Sequence, residues 1–108
     1  MDGAGIDLIE VARFRGLTRD DAFLLRTFTT HELEYCFSYA DPAPHLAGHF
    51  AAKEAAWKSL ETMEYPFTEL EVRHSDVGAP YIERNGERLP VHVSISHTAD
   101  IAAAVAVR

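Results

Sequence analysis

Cysteine and basic residues are scarce in this chain of 108 residues. It has one cysteine, and its 10 lysines and arginines stand against 17 acidic residues, which gives a formal net charge of −7. Because Cys36 has no second cysteine to pair with, a disulfide scaffold and a thiolate zinc site are both excluded. We predict that Cys36 is a buried apolar residue of a helix. The acidic balance also argues against a nucleic-acid-binding protein, which usually carries a basic surface.

Long apolar segments are also missing. The longest nearly uncharged apolar run, Ile101 to Val107, is far shorter than the roughly 20 residues of a membrane-spanning helix, and the N-terminus lacks a signal-peptide pattern. No repeat, linker or low-complexity tract divides the chain, while 47% of its residues are hydrophobic. We therefore predict one domain over residues 1–108, located in the cytoplasm, with no membrane and no nucleic acid among its partners.

The spacing of the apolar residues predicts an α+β fold. A short strand is expected from Ala4 to Ile9, and Thr29-x-x-Glu32 is a capping box that should open a helix ending near Tyr39. The longest helical pattern begins at Ala43 or His45 and continues to about Met63. We expect an antiparallel sheet packed against helices, including this long one. The shorter elements expected are helices from near Glu10 and over Asp20–Arg26, and strands over Leu70–Arg73, Tyr81–Arg84, Val91–Ile95 and Ile101–Val107.

Two carboxylates interrupt apolar patterns. Asp7 lies within the first strand, and Glu54 lies beside the apolar face of the long helix, between Phe50 and Trp57. Each has an ordinary explanation: Asp7 as an edge-strand charge that opposes aggregation, and Glu54 as the partner of Lys58 in an exposed i,i+4 salt bridge. Together they would form an oxygen-only site of the kind that holds Mg²⁺ with waters and substrate phosphates. The residues alone leave these alternatives open.

Histidine gives a weaker indication of function. His97 ends a strand next to Ser96, where it is either a structural group or a ligand or base. The chain has no HExxH motif. Nothing in the sequence places a carboxylate beside His97, so no Ser/His/Asp triad is predicted.

Four blocks of sequence stand out when they are taken together. They are Gly5 to Val11 followed by Arg13-Phe14, Phe50 to Lys58, Gly78 to Ile82, and His92 to Thr98 running into Ala102 to Val105. In order and spacing these blocks resemble the holo-acyl-carrier-protein synthases, which are the short 4′-phosphopantetheinyl transferases, and the resemblance extends from about Gly3 to Val107. It implies the half-unit type of the transferase fold. It also implies transfer of the phosphopantetheine arm of coenzyme A to a serine of an apo carrier protein, which leaves adenosine 3′,5′-bisphosphate.

The resemblance further implies roles for individual residues. It makes Asp7 and Glu54 the ligands of a Mg²⁺ ion on the coenzyme A pyrophosphate, with Lys58 reaching the same phosphates and Lys53 a weaker candidate. The base that deprotonates the attacking serine stays open between Glu54, Lys58 and a metal-bound water. The expected coenzyme A contacts are Lys53, Lys58, Gly78, Pro80, Ser96 and His97.

The resemblance also implies partners. A homotrimer is expected, in which Asp7 and Glu54 of one chain face Ser96 and His97 of the next, and the latter two bind the adenosine and 3′-phosphate end. The macromolecular substrate would be an acidic acyl or peptidyl carrier protein that docks on arginines of the first helices, although solvated helix arginines are the alternative. These arginines and the acidic residues that follow the long helix lie in different parts of the sequence. The net negative charge therefore does not exclude an acidic partner. The expected docking residues are Arg13, Arg15, Arg19 and Arg26.

The chain departs from the family pattern at two places. His49 stands where members commonly have arginine, and Glu61-Thr62-Met63-Glu64 stands where they commonly have Gly-Thr-Gly-Ile. These changes favour an alternative, a non-catalytic subunit that binds the carrier protein or coenzyme A. Met1 and the complete set of blocks predict a free-standing protein rather than a piece of a larger synthase.

Overall fold

The computed structural model describes residues 3–60 and 65–108. In these residues, helices follow a first strand, and the remaining strands follow the helices. The helices are α1 (Ala22–Thr27), α2 (Thr30–Phe37) and α3 (Ala43–Ser59), with 3-10 turns at Val11–Phe14 and Phe67–Glu69. The strands are β1 (Ala4–Glu10), β2 (Leu70–His74), β3 (Pro80–Arg84), β4 (Glu87–Arg88), β5 (His92–His97) and β6 (Ile101–Val107).

The strands form two antiparallel sheets where the sequence predicted one. The first has the order β1-β6-β5 and the second the order β2-β3-β4. In the first sheet Ala104 of β6 lies between Asp7 of β1 and Ile95 of β5. The predicted α+β class, with antiparallel strands packed against a long helix, is confirmed. Among the described residues, none of the helices combines the length and the apolar character that crossing a membrane would require.

Local sequence signals account for most of the helix ends. The capping box is confirmed: the Glu32 amide donates to Thr29 Oγ1 at 3.2 Å, and the Thr29 amide donates to Glu32 Oε1 at 2.9 Å. The predicted helix near Glu10 is only a short 3-10 turn, and α1 begins after Asp21, whose side chain accepts from the Phe23 amide. The predicted end of the long helix, Met63, lies outside the described residues.

Helix α3 packs on the inner face of the first sheet. Its small residues, such as Ala51 and Ala55, are fully buried, as are Ala102 and Ala106 of β6. Alanine on both surfaces lets the helix approach the sheet closely. Cys36 is fully buried and has no disulfide, as predicted.

Gly5 of β1 lies very close to α3. A Cβ atom built on Gly5 would lie 2.1 Å from the carbonyl oxygen of Ala55 and 2.9 Å from Cβ of Lys58. Only a residue without a side chain fits there, so Gly5 is what allows β1 to lie directly against the C-terminal half of α3. This contact brings Asp7, two residues further along β1, beside the helix.

We expect Gly5→Ala to lower the free energy of unfolding by about 1–3 kcal/mol, because backbone atoms would have to move apart. The measurement is urea denaturation followed by circular dichroism. Gly48→Ala is the matched control in α3, since its Cβ would meet only the side-chain atom Cγ2 of Ile95, at 3.0 Å. Equal losses in the two variants would contradict the role given to Gly5.

Candidate active site

Asp7, Glu54 and Lys58 lie together where β1 crosses α3. The Lys58 ammonium donates to the carbonyl oxygen of Ile6 at 3.0 Å and to Asp7 Oδ1 at 3.3 Å. The side chain of Lys58 is 48% exposed and that of Asp7 is 17% exposed. The i,i+4 bridge from Lys58 to Glu54, the alternative explanation of Glu54, is not among the ion pairs of the described residues, because Lys58 pairs with Asp7 of β1 instead.

The electrostatics of Glu54 show that the two carboxylates interact. Burial raises the pKa of Glu54, the negative charge of Asp7 raises it further, and Lys58 and Arg13 act in the opposite direction. Within residues 3–60 and 65–108, no group of three or more histidine, cysteine or carboxylate side chains could hold a metal ion. Two hard carboxylates fit Mg²⁺, which commonly takes one or two from the protein and fills its other positions with water and substrate phosphate.

Lys53 does not belong to this group, and its contact with coenzyme A stays a prediction that its position does not support. Its side chain is fully buried, and its ammonium donates to Glu32 Oε1 at 3.0 Å and to the carbonyl oxygen of Thr27 at 2.7 Å. The other carboxylate oxygen of Glu32 accepts from the Val72 amide at 2.7 Å. Lys53 therefore ties α3 to α2 inside the core.

A second group of polar side chains surrounds a pocket of about 170 Å³ at the other end of α3. We call it the histidine pocket. It brings together Gly78, Pro80 and His97, three residues that were predicted as coenzyme A contacts. The lining residues are Tyr35, Pro44, His45, Gly48, His49, His74, Gly78, Pro80, Ile95 and His97.

Aromatic rings pack tightly around this pocket. Tyr35 stacks on His74 with ring centroids 4.0 Å apart, and Tyr39 stacks on His45 at 3.6 Å. The ring centroids of His49 and Tyr35 are 5.0 Å apart. Burial is the main cause that raises the pKa of Tyr35 to about 12.

Sequence reasoning missed most of the histidine pocket. A signal existed, because Tyr35 of α2 and Tyr39, just beyond its end, are four residues apart, while His45 and His49 lie one turn apart on α3. Each pair therefore shares a helix face. No spacing in the sequence indicated that the two faces meet, or that His74 of β2 joins them.

Ser96 and His97 point to different surfaces, because neighbouring residues of a strand alternate in direction. Ser96 lies on the outer face of the first sheet with Ile6 and Val105, whereas His97 lines the histidine pocket. Asp7 and His97 are on β1 and β5, the opposite edges of this sheet, with β6 between them. Two strand spacings amount to about 10 Å, so one chain holds the two halves of the predicted site apart.

The four arginines predicted to dock the carrier protein differ in their surroundings. Arg15 pairs with Asp41 at 3.1 Å, and Arg19 lies 3.8 Å from Glu34. Arg13 lies over the ring of Phe50 and near Glu54. Arg13 and Arg26 are exposed and form no ion pair with a described residue. The positive charges of Arg13 and Arg26 are therefore available to a partner protein.

The two departures from the family pattern fall in different places. His49 is on α3 and lines the histidine pocket, 3% exposed. Glu61 and Glu64 lie outside the described residues.

Comparison with known proteins places this geometry in context. A model of the 4′-phosphopantetheinyl transferase superfamily matches residues 3–106. The holo-[acyl-carrier-protein] synthase of Thermodesulfovibrio yellowstonii is 36% identical over 110 residues, covering 99% of this chain and 97% of the relative. The holo-[acyl-carrier-protein] synthase of Caldicellulosiruptor bescii is 39% identical over 113 residues, covering 95% of this chain and 93% of the relative.

Solved structures agree with the sequence matches. A holo-(acyl-carrier-protein) synthase from Bacillus anthracis, in complex with CoA (3′,5′-ADP), superposes with a TM-score of 0.81 at 35% identity, covering 97% of this chain and 93% of that one. The Helicobacter pylori holo-[acyl-carrier-protein] synthase in complex with coenzyme A superposes with a TM-score of 0.80 at 31% identity. The match covers 96% of this chain and 97% of that one. The resemblance inferred from the four blocks, and the fold it implied, are confirmed.

Proposed function

Because this chain belongs to the 4′-phosphopantetheinyl transferase superfamily, in which it is an enzyme of the holo-acyl-carrier-protein synthase type, we propose how its residues carry out the transfer. The reaction moves the phosphopantetheine arm of coenzyme A to a serine of an apo acyl carrier protein, depends on Mg²⁺ and releases adenosine 3′,5′-bisphosphate. Residues 1–108 act as one transferase domain. The observation that carries the proposal is the meeting of Asp7, Glu54 and Lys58 beside Gly5.

Asp7 and Glu54 are the proposed magnesium ligands. Both carboxylates lie at the crossing of β1 and α3, and the Asp7 charge raises the pKa of Glu54, as expected for two acids that face the same space. A bound cation would offset this repulsion, and would neutralise charge on the pyrophosphate of coenzyme A and fix its position.

Lys58 and Glu54 act directly on the reacting groups. Lys58 has an exposed ammonium beside Asp7, so it can contact the oxygens of the pyrophosphate and stabilise their charge during transfer. We assign the serine proton to Glu54, because its carboxylate lies among Asp7, Lys58 and Arg13 at the proposed site of transfer. The serine oxygen then bonds to the phosphorus that bears pantetheine. The bond from that phosphorus to the bridging oxygen breaks, and the electron pair leaves with adenosine 3′,5′-bisphosphate.

The adenosine end of coenzyme A is assigned to a neighbouring copy of the chain. His97, Gly78 and Pro80 line one pocket, and Ser96 lies on the outer face of the same sheet. Since β5, which carries Ser96 and His97, is the sheet edge opposite Asp7, the proposed site is completed by two copies. A homotrimer, in which each chain supplies one half to each neighbour, satisfies all three sites.

The outer face of the first sheet supports this assembly. Ile6 and Leu8 are 63% and 67% exposed, and Val105, the register partner of Ile6, is also exposed. We call these residues, with Ile101, the apolar strip. A contiguous apolar surface of this kind marks an interface, and Ser96 adjoins it.

We expect this protein to sediment with the mass of three chains. Leu8→Glu places a charge in the apolar strip, so we expect it to dissociate the assembly and to abolish transfer together with it. The measurement is sedimentation equilibrium with an activity assay on the same samples. Val77→Glu is the control, because Val77 is exposed in the β2–β3 turn, away from the strip. An active monomer would contradict the shared site.

Docking of the acidic carrier protein is assigned to Arg13 and Arg26. We expect Arg26→Glu to raise the KM for the carrier about tenfold and to leave the KM for coenzyme A unchanged, because a charge on an interface rim affects mainly its own partner. Arg88→Glu on β4 is the control, with the same change of charge at another exposed position. Equal changes in both KM values would show that Arg26 acts on coenzyme A or on the fold.

The test of the proposed function is transfer itself. The protein is incubated with coenzyme A, magnesium and several apo carrier proteins, and the carrier is weighed by mass spectrometry. Addition of the phosphopantetheine arm, with release of adenosine 3′,5′-bisphosphate, is the expected result. Binding of coenzyme A without transfer to any carrier would favour the non-catalytic subunit instead.

A further inference from the structure

Arg15 joins two segments of the chain that border the histidine pocket. Its Nη1 atom donates to both carboxylate oxygens of Asp41, at 3.1 and 3.3 Å, and its Nη2 atom donates to the carbonyl oxygen of Ala99 at 3.3 Å. Asp41 lies in the connection between α2 and α3, and Ala99 lies in the turn between β5 and β6. One guanidinium thus bridges residues that are 26 and 84 positions away from it along the chain.

The Asp41 end of this bridge leads to one lining residue of the pocket. Asp41 Oδ1 also accepts from the amide of Ala43, the first residue of α3, at 3.4 Å. The hydrogen bond from Arg15 is the largest cause that lowers the pKa of Asp41, so the carboxylate is ionised at neutral pH and keeps both contacts. His45, two residues further along α3, lines the pocket.

The other end of the bridge, in the β5–β6 turn, leads to a second lining residue. The carbonyl oxygen of Asp100 in that turn accepts from the Val11 amide at 2.9 Å. The segment that begins at Val11 and ends at Arg15 therefore holds the turn at two points. His97 ends β5 immediately before the turn, and its ring lies against that of His45, with centroids 5.7 Å apart.

We propose that Arg15 is a positioning residue for coenzyme A, because it fixes His45 and His97 relative to each other at the pocket and so acts on the affinity for coenzyme A. The inference rests on the proposed function, which assigns the adenosine end of coenzyme A to this pocket. The side chains of Arg15 and Asp41 are 48% and 58% exposed, and exposed ion pairs contribute little to the stability of a whole fold. The effect of the bridge is therefore local and modest.

This role differs from the carrier docking that the family resemblance implies for Arg15. Its guanidinium would have to release Asp41 before it could pair with a carboxylate of the carrier protein. Arg13 and Arg26, by contrast, are exposed and have no ion pair with a described residue. The two roles predict different kinetic effects: a docking residue changes the KM for the carrier, and a positioning residue at the pocket changes the KM for coenzyme A.

The test is Arg15→Met, studied by calorimetry with coenzyme A and by transfer kinetics with an apo carrier. We expect the dissociation constant and the KM for coenzyme A to rise about fivefold, with kcat and the carrier KM within about twofold of the parent values. Arg84→Met is the matched control, because Arg84 pairs with Glu69 at 2.9 Å and does not line the pocket. A coenzyme A dissociation constant within about twofold of the parent value, or a rise in the carrier KM alone, would overturn the inference.

A double-variant cycle tests the bridge itself. Asp41→Asn leaves an oxygen for the Ala43 amide but removes the charge that holds Arg15, so it should weaken coenzyme A binding as Arg15→Met does. The double variant should then bind about as well as Arg15→Met alone, and effects that multiply would contradict the bridge. Binding of coenzyme A by the parent protein without transfer to any carrier would refute the proposed function, while the dissociation constants would still decide the role of Arg15. A parent protein that does not bind coenzyme A would refute both.

Discussion

Glu54→Gln is expected to lower kcat/KM for phosphopantetheine transfer by about 10²- to 10³-fold. Glutamine has nearly the same shape, so the packing of α3 is retained while the negative charge is lost. The change removes a proposed magnesium ligand and the proposed acceptor of the serine proton at the same time. The measurement is the initial rate of carrier modification, followed by mass spectrometry over a range of magnesium concentrations.

Glu87→Gln is the control for this experiment. Glu87 is an exposed carboxylate on β4, so its neutralisation changes the net charge by the same amount without touching the site. A folded Glu54→Gln protein that keeps more than a tenth of the transfer rate at saturating magnesium would remove Glu54 from both proposed roles.

Lys53→Met is expected to lower the free energy of unfolding by about 3–5 kcal/mol. Lys53 and Glu32 are both fully buried, and removing one partner leaves the other as an uncompensated charge in the core. The measurement is urea denaturation, and the double variant Glu32→Gln with Lys53→Met should recover most of the loss because neither side chain is then charged. A loss below about 1 kcal/mol in the single variant would contradict a structural role for the pair.

The stability of Lys53→Met should also depend on pH in a defined direction. Burial already raises the pKa of Glu32, while the charge of Lys53 opposes that shift. Without Lys53 the pKa rises further, so the folded chain binds a proton that the unfolded chain has released. The contribution of Glu32 to stability is therefore greatest below the ordinary glutamate pKa, and it falls as the pH increases from that value to the raised one.

Lys58→Met separates structure from chemistry on the same helix. Lys58 is half exposed, and an exposed ion pair contributes less than about 1 kcal/mol. We expect this variant to unfold like the parent protein but to lose transfer activity. Lys53→Met and Lys58→Met thus affect different properties, although their sequence positions are five residues apart.

Local patterns were sufficient to predict much of the fold. The Thr29 and Glu32 capping box and the long helical pattern from Ala43 each depend on residues a few positions apart, and the structure confirms both. The helix predicted from near Glu10 was harder to delimit. The apolar spacing continues past Phe14, but Gly16 has a positive φ that ends the turn, and α1 begins only after the cap at Asp21. The division of the strands into two sheets depends on long-range pairing, which periodicity does not specify.

The candidate site shows the same division. Asp7 and Glu54 were found because a carboxylate in an apolar pattern is visible in the sequence itself. The burial of Lys53 was not visible in the motif, because a buried lysine and an exposed one look alike there, and the carboxylate that pairs with Lys53 is Glu32 on another helix. The histidine pocket was missed because its tyrosine and histidine rings come from four elements, α2, α3, β2 and β5, that meet only in the folded chain.

The sequence by itself determined the family, the α+β class and the residue types available for phosphate chemistry, since blocks of neighbouring residues encode these directly. The tertiary structure decided which lysine is buried and which is exposed, that His97 and Ser96 face different surfaces, and that His45, His49 and His74 surround one pocket. The physical reason is that charge state and accessibility depend on what lies within a few ångströms in space. Those neighbours are supplied by distant parts of the chain.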